Sequence, residues 1–372
     1  MAVLSNLRFQ PLSLVLLLAC LMTPLSGCAG SRYAVHPVTD AHGDTLGDAH
    51  VADRRLVPAD TTWTLPDQAR IPVRIWEPAG GVRAVILALH GFNDSRDAWE
   101  IPGPQFAARG IALYAPDQRG FGAAPDRGRW PGAGTLIDDA GAMLRLAAAT
   151  HPGLPVFVMG ESMGGAVALC LAARADLPPV AGFILLAPAV WSSTQMSPMM
   201  TTTLWAAATF LPQWQMTGRE LPVHVQPSNN LAALYRLSYD PLTVKTTRTD
   251  VLRGLVGLMT QAAAAAPRVH GRVLISYGAH HQLVPPLAMA ETWKRLPVGA
   301  RRAYYPQGYH LLMRDQDRQD VIQDVVSWIV DPALALPSGA DVAAAAWLSG
   351  DFWGAEVPSF LPANLDGLAG GR

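Results

Sequence analysis

Ala84 to Leu89 reads Ala-Val-Ile-Leu-Ala-Leu, and a run this apolar leaves neither face of a strand for water. Similar runs recur at Ile111 to Tyr114, Val156 to Met159, Phe183 to Leu186 and Val273 to Tyr277, and Ala303 to Tyr305 closes the series. Thr62 to Leu65 and Ile71 to Trp76 read as two strands ahead of it. Helical stretches fall between these runs, over Ile137 to Ala149, Gly164 to Ala175 and Leu287 to Leu296, with Val321 to Ile329 after the last strand. Doubly buried strands alternating with helices predict an α/β fold with a mostly parallel central sheet flanked by helices.

One interruption breaks the rhythm. Between Val190 and Pro267 no strand is expected, and Asp240-Pro241 is expected to open a helix, with Asp240 as cap and Pro241 as first residue. Val251, Leu255, Leu258, Met259 and Ala262 then recur at helical spacing. We read residues 190–267 as a helical cap inserted into a domain spanning 61–332. An Ala/Gly/Pro-rich tail follows over 333–372, whose Trp347, Phe352, Trp353 and Phe360 leave two alternatives, docking on the domain or disorder.

The first residues read as an address. Arg8 precedes an apolar stretch from Leu12 to Met22, shorter than the roughly 20 residues a membrane-spanning helix needs. Leu25-Ser26-Gly27-Cys28 comes directly after and resembles the lipobox of bacterial lipoproteins. The resemblance implies removal of residues 1–27, a diacylglyceryl group on Cys28, and a polar tether over 28–60. Ala29 follows the cysteine, with no Asp to suggest inner-membrane retention, which implies the outer membrane facing the periplasm. Of the three cysteines only Cys170 then remains, on an apolar helix, so no internal disulfide is expected. His36, His42 and His50 lack ligand-type spacing and are read as linker. The net charge is −1 with 15% charged residues, and no basic face long enough to follow a phosphate backbone is present, which excludes nucleic acid as a partner. Protein partners are left unassigned.

Chemistry is concentrated at three places. Gly160-Glu161-Ser162-Met163-Gly164 fits G-x-S-x-G, with an apolar strand entering it and an Ala-rich helix leaving it. Such a turn strains the serine backbone and aims the helix N-terminus at developing negative charge. Ser162 is therefore the candidate nucleophile. Gly308-Tyr309-His310 follows the last strand, after the serine in chain order, which makes His310 the candidate general base. His90-Gly91-Phe92-Asn93 follows the strand ending at Leu89, and the His90 side chain is read as structural.

Taken with Asp117-Gln118-Arg119-Gly120-Phe121-Gly122, Gly165, Asp240-Pro241 and Tyr309-His310, these segments resemble the monoacylglycerol lipase and lysophospholipase branch of the α/β-hydrolases, the serine aminopeptidase type, from about Thr61 to Val330. The resemblance implies an α/β-hydrolase fold with a helical cap, and an oxyanion hole made by the backbone amides of Phe92 and Met163. It implies hydrolysis of lipid-like acyl esters with no metal or organic cofactor. Asp117 to Gly122 is read as a structural loop braced by Arg119. One position departs from the family pattern. Its triad acid is an Asp in Gly-x-x-Asp-x-x-Val-Pro, and this chain has Gly278-Ala279-His280-His281-Gln282-Leu283-Val284-Pro285, with His281 in the acid's place. A neutral imidazole can orient His310 but cannot balance the imidazolium that forms during attack. Asp315 and Asp317 are candidate replacements. The charge-free stretch between Asp176 and Arg219, with Trp191, Trp205, Phe210, Trp214 and several methionines, is expected to line an apolar lid. Dehalogenase and epoxide hydrolase chemistry is disfavoured because the elbow carries Ser rather than Asp. The rival class is a non-catalytic lipid-binding lipoprotein that has lost its acid.

Overall fold

The structure, a computed structural model, describes residues 56–217 and 225–350. The signal segment, Cys28, the tether up to residue 55, and Phe352, Trp353 and Phe360 lie outside the described residues. Strands β1 (Thr61–Thr64), β2 (Arg70–Trp76) and β3 (Ala84–Leu89) lead into helix α1 (Pro102–Ala107). Then come β4 (Ile111–Pro116), α2 (Ala133–Thr150), β5 (Val156–Glu161), α3 (Met163–Ala172) and β6 (Gly182–Leu186). An insertion holds α4 (Pro198–Phe210), β7 (Gln215–Met216), α5 (Leu231–Tyr239), β8 (Thr247–Arg248) and α6 (Thr249–Ala265). The chain returns through β9 (Val273–Gly278), α7 (Pro286–Arg295), β10 (Arg301–Tyr305), α8 (Arg318–Val330) and α9 (Ala340–Ser349).

Eight strands form one sheet in the order β1-β2-β4-β3-β5-β6-β9-β10. From β4 to β10 all neighbours are parallel, and β2 joins both β1 and β4 antiparallel. The apolar runs earn their composition by facing two cores. Val85, Leu87 and Leu89 of β3 enter the cluster on one face, and Ala84, Ile86 and Ala88 enter the cluster on the other. In β5, Val156 and Val158 alternate in the same way with Phe157 and Met159. Every residue of α3 is buried, because the helix is covered by the sheet on one side and by α2 and α6 on the others. Cys170 is a free, buried thiol on that helix, pushed up to about 12 by burial.

The insertion differs from expectation in two respects. It contains a two-residue antiparallel pairing, Gln215 opposite Arg248 and Met216 opposite Thr247, where no strand was expected. Asp240 also closes a helix instead of opening one. Its amide donates to Arg236 O as the C-cap of α5, and its carboxylate accepts the Leu242 amide at 2.8 Å. The side chain stabilises a local turn, and the next helix starts at Thr249, after a segment in which Thr243, Val244, Thr246 and Thr247 are β-branched. That helix, α6, does bury Val251, Leu258, Met259 and Ala262 at the expected spacing.

Past Pro332 the chain forms α9, seated against β10. Trp347 is 1% exposed and packs on Tyr304, Trp293 and Tyr277, with ring centroids 5.0, 5.0 and 5.6 Å apart.

Candidate active site

The carboxyl ends of β3, β5, β9 and β10 converge at one end of the sheet, and each delivers part of the site. Ser162 sits between β5 and α3 with φ 54° and ψ −113°, a left-handed backbone that a non-glycine residue adopts only when its surroundings force it. Those surroundings are explicit. The Ser162 amide donates to Leu186 O at 3.0 Å, and Ser162 O accepts the Ala189 amide at 2.9 Å. Glycines permit the turn to pass this close to its neighbours. A Cβ on Gly160 would lie 2.3 Å from Gly164 O, and one on Gly164 would lie 2.2 Å from Leu89 O. Both obstacles are backbone, so neither can yield.

Met163 is the first residue of α3, and the amide at that position has no acceptor within its helix. The Phe92 amide likewise has no acceptor among the described residues. Phe92 lies beside Ser162 in a cavity of about 300 Å3 that also takes in His310, Leu255, Met259 and Leu283. The loop carrying Phe92 is fixed to the cap. Asn93 O accepts the Val244 amide at 2.8 Å, and Asn93 Nδ2 donates to Thr247 Oγ1 at 2.6 Å. His90 is structural, as expected. Its Nε2 accepts the Gln118 amide at 2.9 Å, and its Nδ1 donates to Gly91 O at 2.8 Å. Arg119 braces the 117–122 loop by a forked contact to Asp139 at 2.9 and 3.0 Å.

His310 is buried, and its Nδ1 meets His281 Nε2 at 2.6 Å with the two rings perpendicular. The His281 ring stacks on Tyr277 at 4.8 Å, and its Nδ1 accepts the amides of Leu283 at 3.2 Å and Val284 at 3.0 Å. Burial holds both imidazoles neutral. His310 is lowered to about 3 by burial and by the Arg314 guanidinium, and His281 falls well below the ordinary range through burial and its proximity to His310. Ser162 Oγ and His310 share the cavity without a hydrogen bond between them among the described residues; such contacts often tighten only when substrate is bound.

Neither carboxylate put forward as a replacement acid meets His310. Asp315 accepts Ser228 Oγ at 2.6 Å and the Tyr309 amide at 2.7 Å, which commits one oxygen to the cap and the other to the histidine loop. Burial raises its carboxyl to about 6. Asp317 stands at the start of α8. The residue sequence reasoning missed is Arg314. Its Nη2 bonds Glu161 Oε1 at 2.8 Å and also Asp94, with all three side chains under 8% exposed. One buried guanidinium thereby ties the Phe92 loop, the serine turn and the histidine loop together. Burial raises Glu161 to about 7, and the guanidinium acts against that rise. A four-residue separation from His310 was the available signal, but nothing in the sequence marked Glu161 and Asp94 as its partners.

The apolar wall of the cavity also comes from a different source than expected. Leu237 on α5 and Leu255 and Met259 on α6 line it, whereas Trp205, Phe210 and Trp214 are at least half exposed on the outer side of the cap. Helix α4 is apolar around most of its circumference, yet only Ala208 is buried.

Comparison with known proteins agrees with this arrangement. The chain is 26% identical over 274 residues to a monoacylglycerol lipase of Mycolicibacterium smegmatis, covering 70% of this chain and 93% of that protein. A monoglyceride lipase homolog of monkeypox virus is 22% identical, covering 71% and 95%. Among solved structures, the monoacylglycerol lipase of Paleococcus ferrophilus superposes with a TM-score of 0.59 at 18% identity, covering 70% of this chain and 98% of that one. A soluble variant of the Saccharomyces cerevisiae monoglyceride lipase superposes at 0.62, also at 18% identity, covering 74% and 96%. The fold is that of the α/β-hydrolases. With its family model, described as serine aminopeptidase, S33, matching residues 80–317, the chain belongs to that family.

Proposed function

We propose that the protein hydrolyses carboxylic esters of lipid-like substrates, of the monoacylglycerol or lysophospholipid type, through an acyl-enzyme on Ser162. Ser162 Oγ attacks the acyl carbonyl while its proton passes to His310 Nε2, and the Phe92 and Met163 amides receive the oxyanion. His310 returns the proton to the departing alcohol, and water then releases the acid by the same route. The observation that carries this reading is the strained Ser162 facing an apolar cavity that it shares with His310. Backbone strain of this kind costs about 1–3 kcal/mol, and lipid binding alone has no use for it. The similarity to the M. smegmatis monoacylglycerol lipase supports the substrate class. The lipobox-like run ending at Cys28 supports a lipid anchor there, which would hold the enzyme on the bacterial envelope, at the outer membrane facing the periplasm.

The test is covalent. A fluorophosphonate probe should label the purified protein, and Ser162→Ala should abolish both labelling and hydrolysis of a monoacylglycerol. Labelling that persisted in the Ala variant would place the nucleophile elsewhere.

A further inference from the structure

The backbone around His281 determines which of its nitrogens carries a proton. The amides of Leu283 and Val284 are obligatory donors, and both point at His281 Nδ1, so that nitrogen presents its lone pair. Burial keeps the ring neutral, and a neutral ring with a bare Nδ1 carries its proton on Nε2. The 2.6 Å contact to His310 Nδ1 then has one direction, with His281 Nε2–H donating and His310 Nδ1 accepting. A neutral His310 that accepts at Nδ1 carries its own proton on Nε2.

That is the reverse of what attack by Ser162 requires. A general base must offer a lone pair at Nε2, and a triad carboxylate secures this by accepting the proton of Nδ1. Rotating the His281 ring does not repair the polarity. A half-turn replaces Nδ1 with a carbon and abandons two amide hydrogen bonds, while Nε2 leaves His310. Moving the shared proton onto His310 Nδ1 without such a rotation would leave His281 an imidazolate.

We propose that His281 is a positioning residue that locks His310 in the inverted, Nε2-protonated tautomer and so holds the acyl-ester site in a slow, latent state. The inference rests on the Ser162 reading above for its consequence, but the tautomer itself does not depend on it. Turnover runs only through the minority of molecules in which the His281 amide contacts have broken. In a serine-protease triad, an amide that presents N–H in place of the acid lowers the rate about ten-thousand-fold by the same tautomer error.

Two near-isosteric substitutions separate donor from acceptor. In His281→Asp, one carboxylate oxygen can take the loop amides while the other accepts from His310 Nδ1. In His281→Asn, the amide oxygen takes the loop amides and Nδ2 is left to donate, which keeps the inverted polarity. We expect kcat/KM for a short-chain ester near pH 7 to be at least a hundredfold higher for His281→Asp than for His281→Asn, and up to about ten-thousand-fold. Equal rates for the two, with both hydrolysing the ester measurably, would overturn the inference. Independently, 15N NMR of the histidine-labelled wild-type protein, with His310→Gln to assign the ring among ten histidines, should find the His310 proton on Nε2. A proton on Nδ1 would overturn the lock by direct observation. If the Nε2–H tautomer is found while neither the wild type nor either His281 variant hydrolyses an ester or takes the fluorophosphonate label, the lock stands and the ester-hydrolase reading fails.

Discussion

Arg314→Met removes a buried cation while keeping the length and most of the bulk of the side chain, so its effect reports charge rather than a cavity. Two carboxylates, Glu161 and Asp94, lose their shared partner at positions 1% and 7% exposed. Removing one member of a buried ion pair costs about 3–5 kcal/mol, because the charge left behind is uncompensated. Glu161 can escape that cost by taking a proton. Its carboxyl already stands at about 7 against an ordinary 4.5, with the guanidinium restraining it, and loss of the guanidinium moves it higher. A raised carboxyl binds a proton in the native state that the unfolded chain gives up, so its contribution is lost as pH rises through the folded pKa. Both proteins share this loss below pH 7, and only the variant continues to lose stability above it, at no more than about 1.4 kcal/mol per pH unit. The variant should therefore be about 3–5 kcal/mol less stable at pH 9, and the gap should narrow toward pH 6, where Glu161 is protonated while Asp94 still lacks its partner. Urea unfolding followed by tryptophan fluorescence at pH 6, 7.5 and 9 measures the difference. A gap below about 1 kcal/mol that is the same at all three pH values would refute the view that this guanidinium ties the site together by charge.

Trp347→Ala empties a position 1% exposed, and should lower stability by about 3–5 kcal/mol in the same assay; a loss under about 1 kcal/mol would mean that α9 is not seated on β10 as described. Cys28→Ala should move the protein from the membrane to the soluble fraction or leave an unprocessed precursor. Mass spectrometry showing a mature N-terminus at Ala29 or later without a lipid would remove the anchor.

The sheet was legible because each of its central strands is buried on both faces, so composition alone reports it. The residues of β3 and β5 alternate between two cores, and the apolar run is the direct imprint of that. The serine turn was legible for a related reason: Gly160 and Gly164 stand where a single Cβ would strike backbone. The cap was less so. Asp240-Pro241 has the residues of a helix start, yet Asp240 ends α5, because a side chain that accepts the amide two residues on stabilises a turn in either setting. Its aromatic residues misled in the same way. An apolar helix reads identically whether its face covers a cavity or faces outward, and α4 does the latter.

Position 281 shows how geometry and chemistry can part at one residue. The loop after β9 uses the Leu283 and Val284 amides to grip whatever stands at 281, and an imidazole nitrogen satisfies them as an acceptor just as a carboxylate oxygen would. Tyr277 stacks on the ring, and its hydroxyl donates to Val284 O at 2.7 Å, so the loop closes around His281. Local folding therefore sees little difference between the two residue types. The difference lies one bond further on. A carboxylate keeps acceptor capacity after the amides are served, whereas a neutral imidazole spends its single lone pair on them and can offer His310 only a proton. Two groups equal in satisfying the loop are opposite in what they present to the base, and a sequence pattern that marks the position carries no information about that sign.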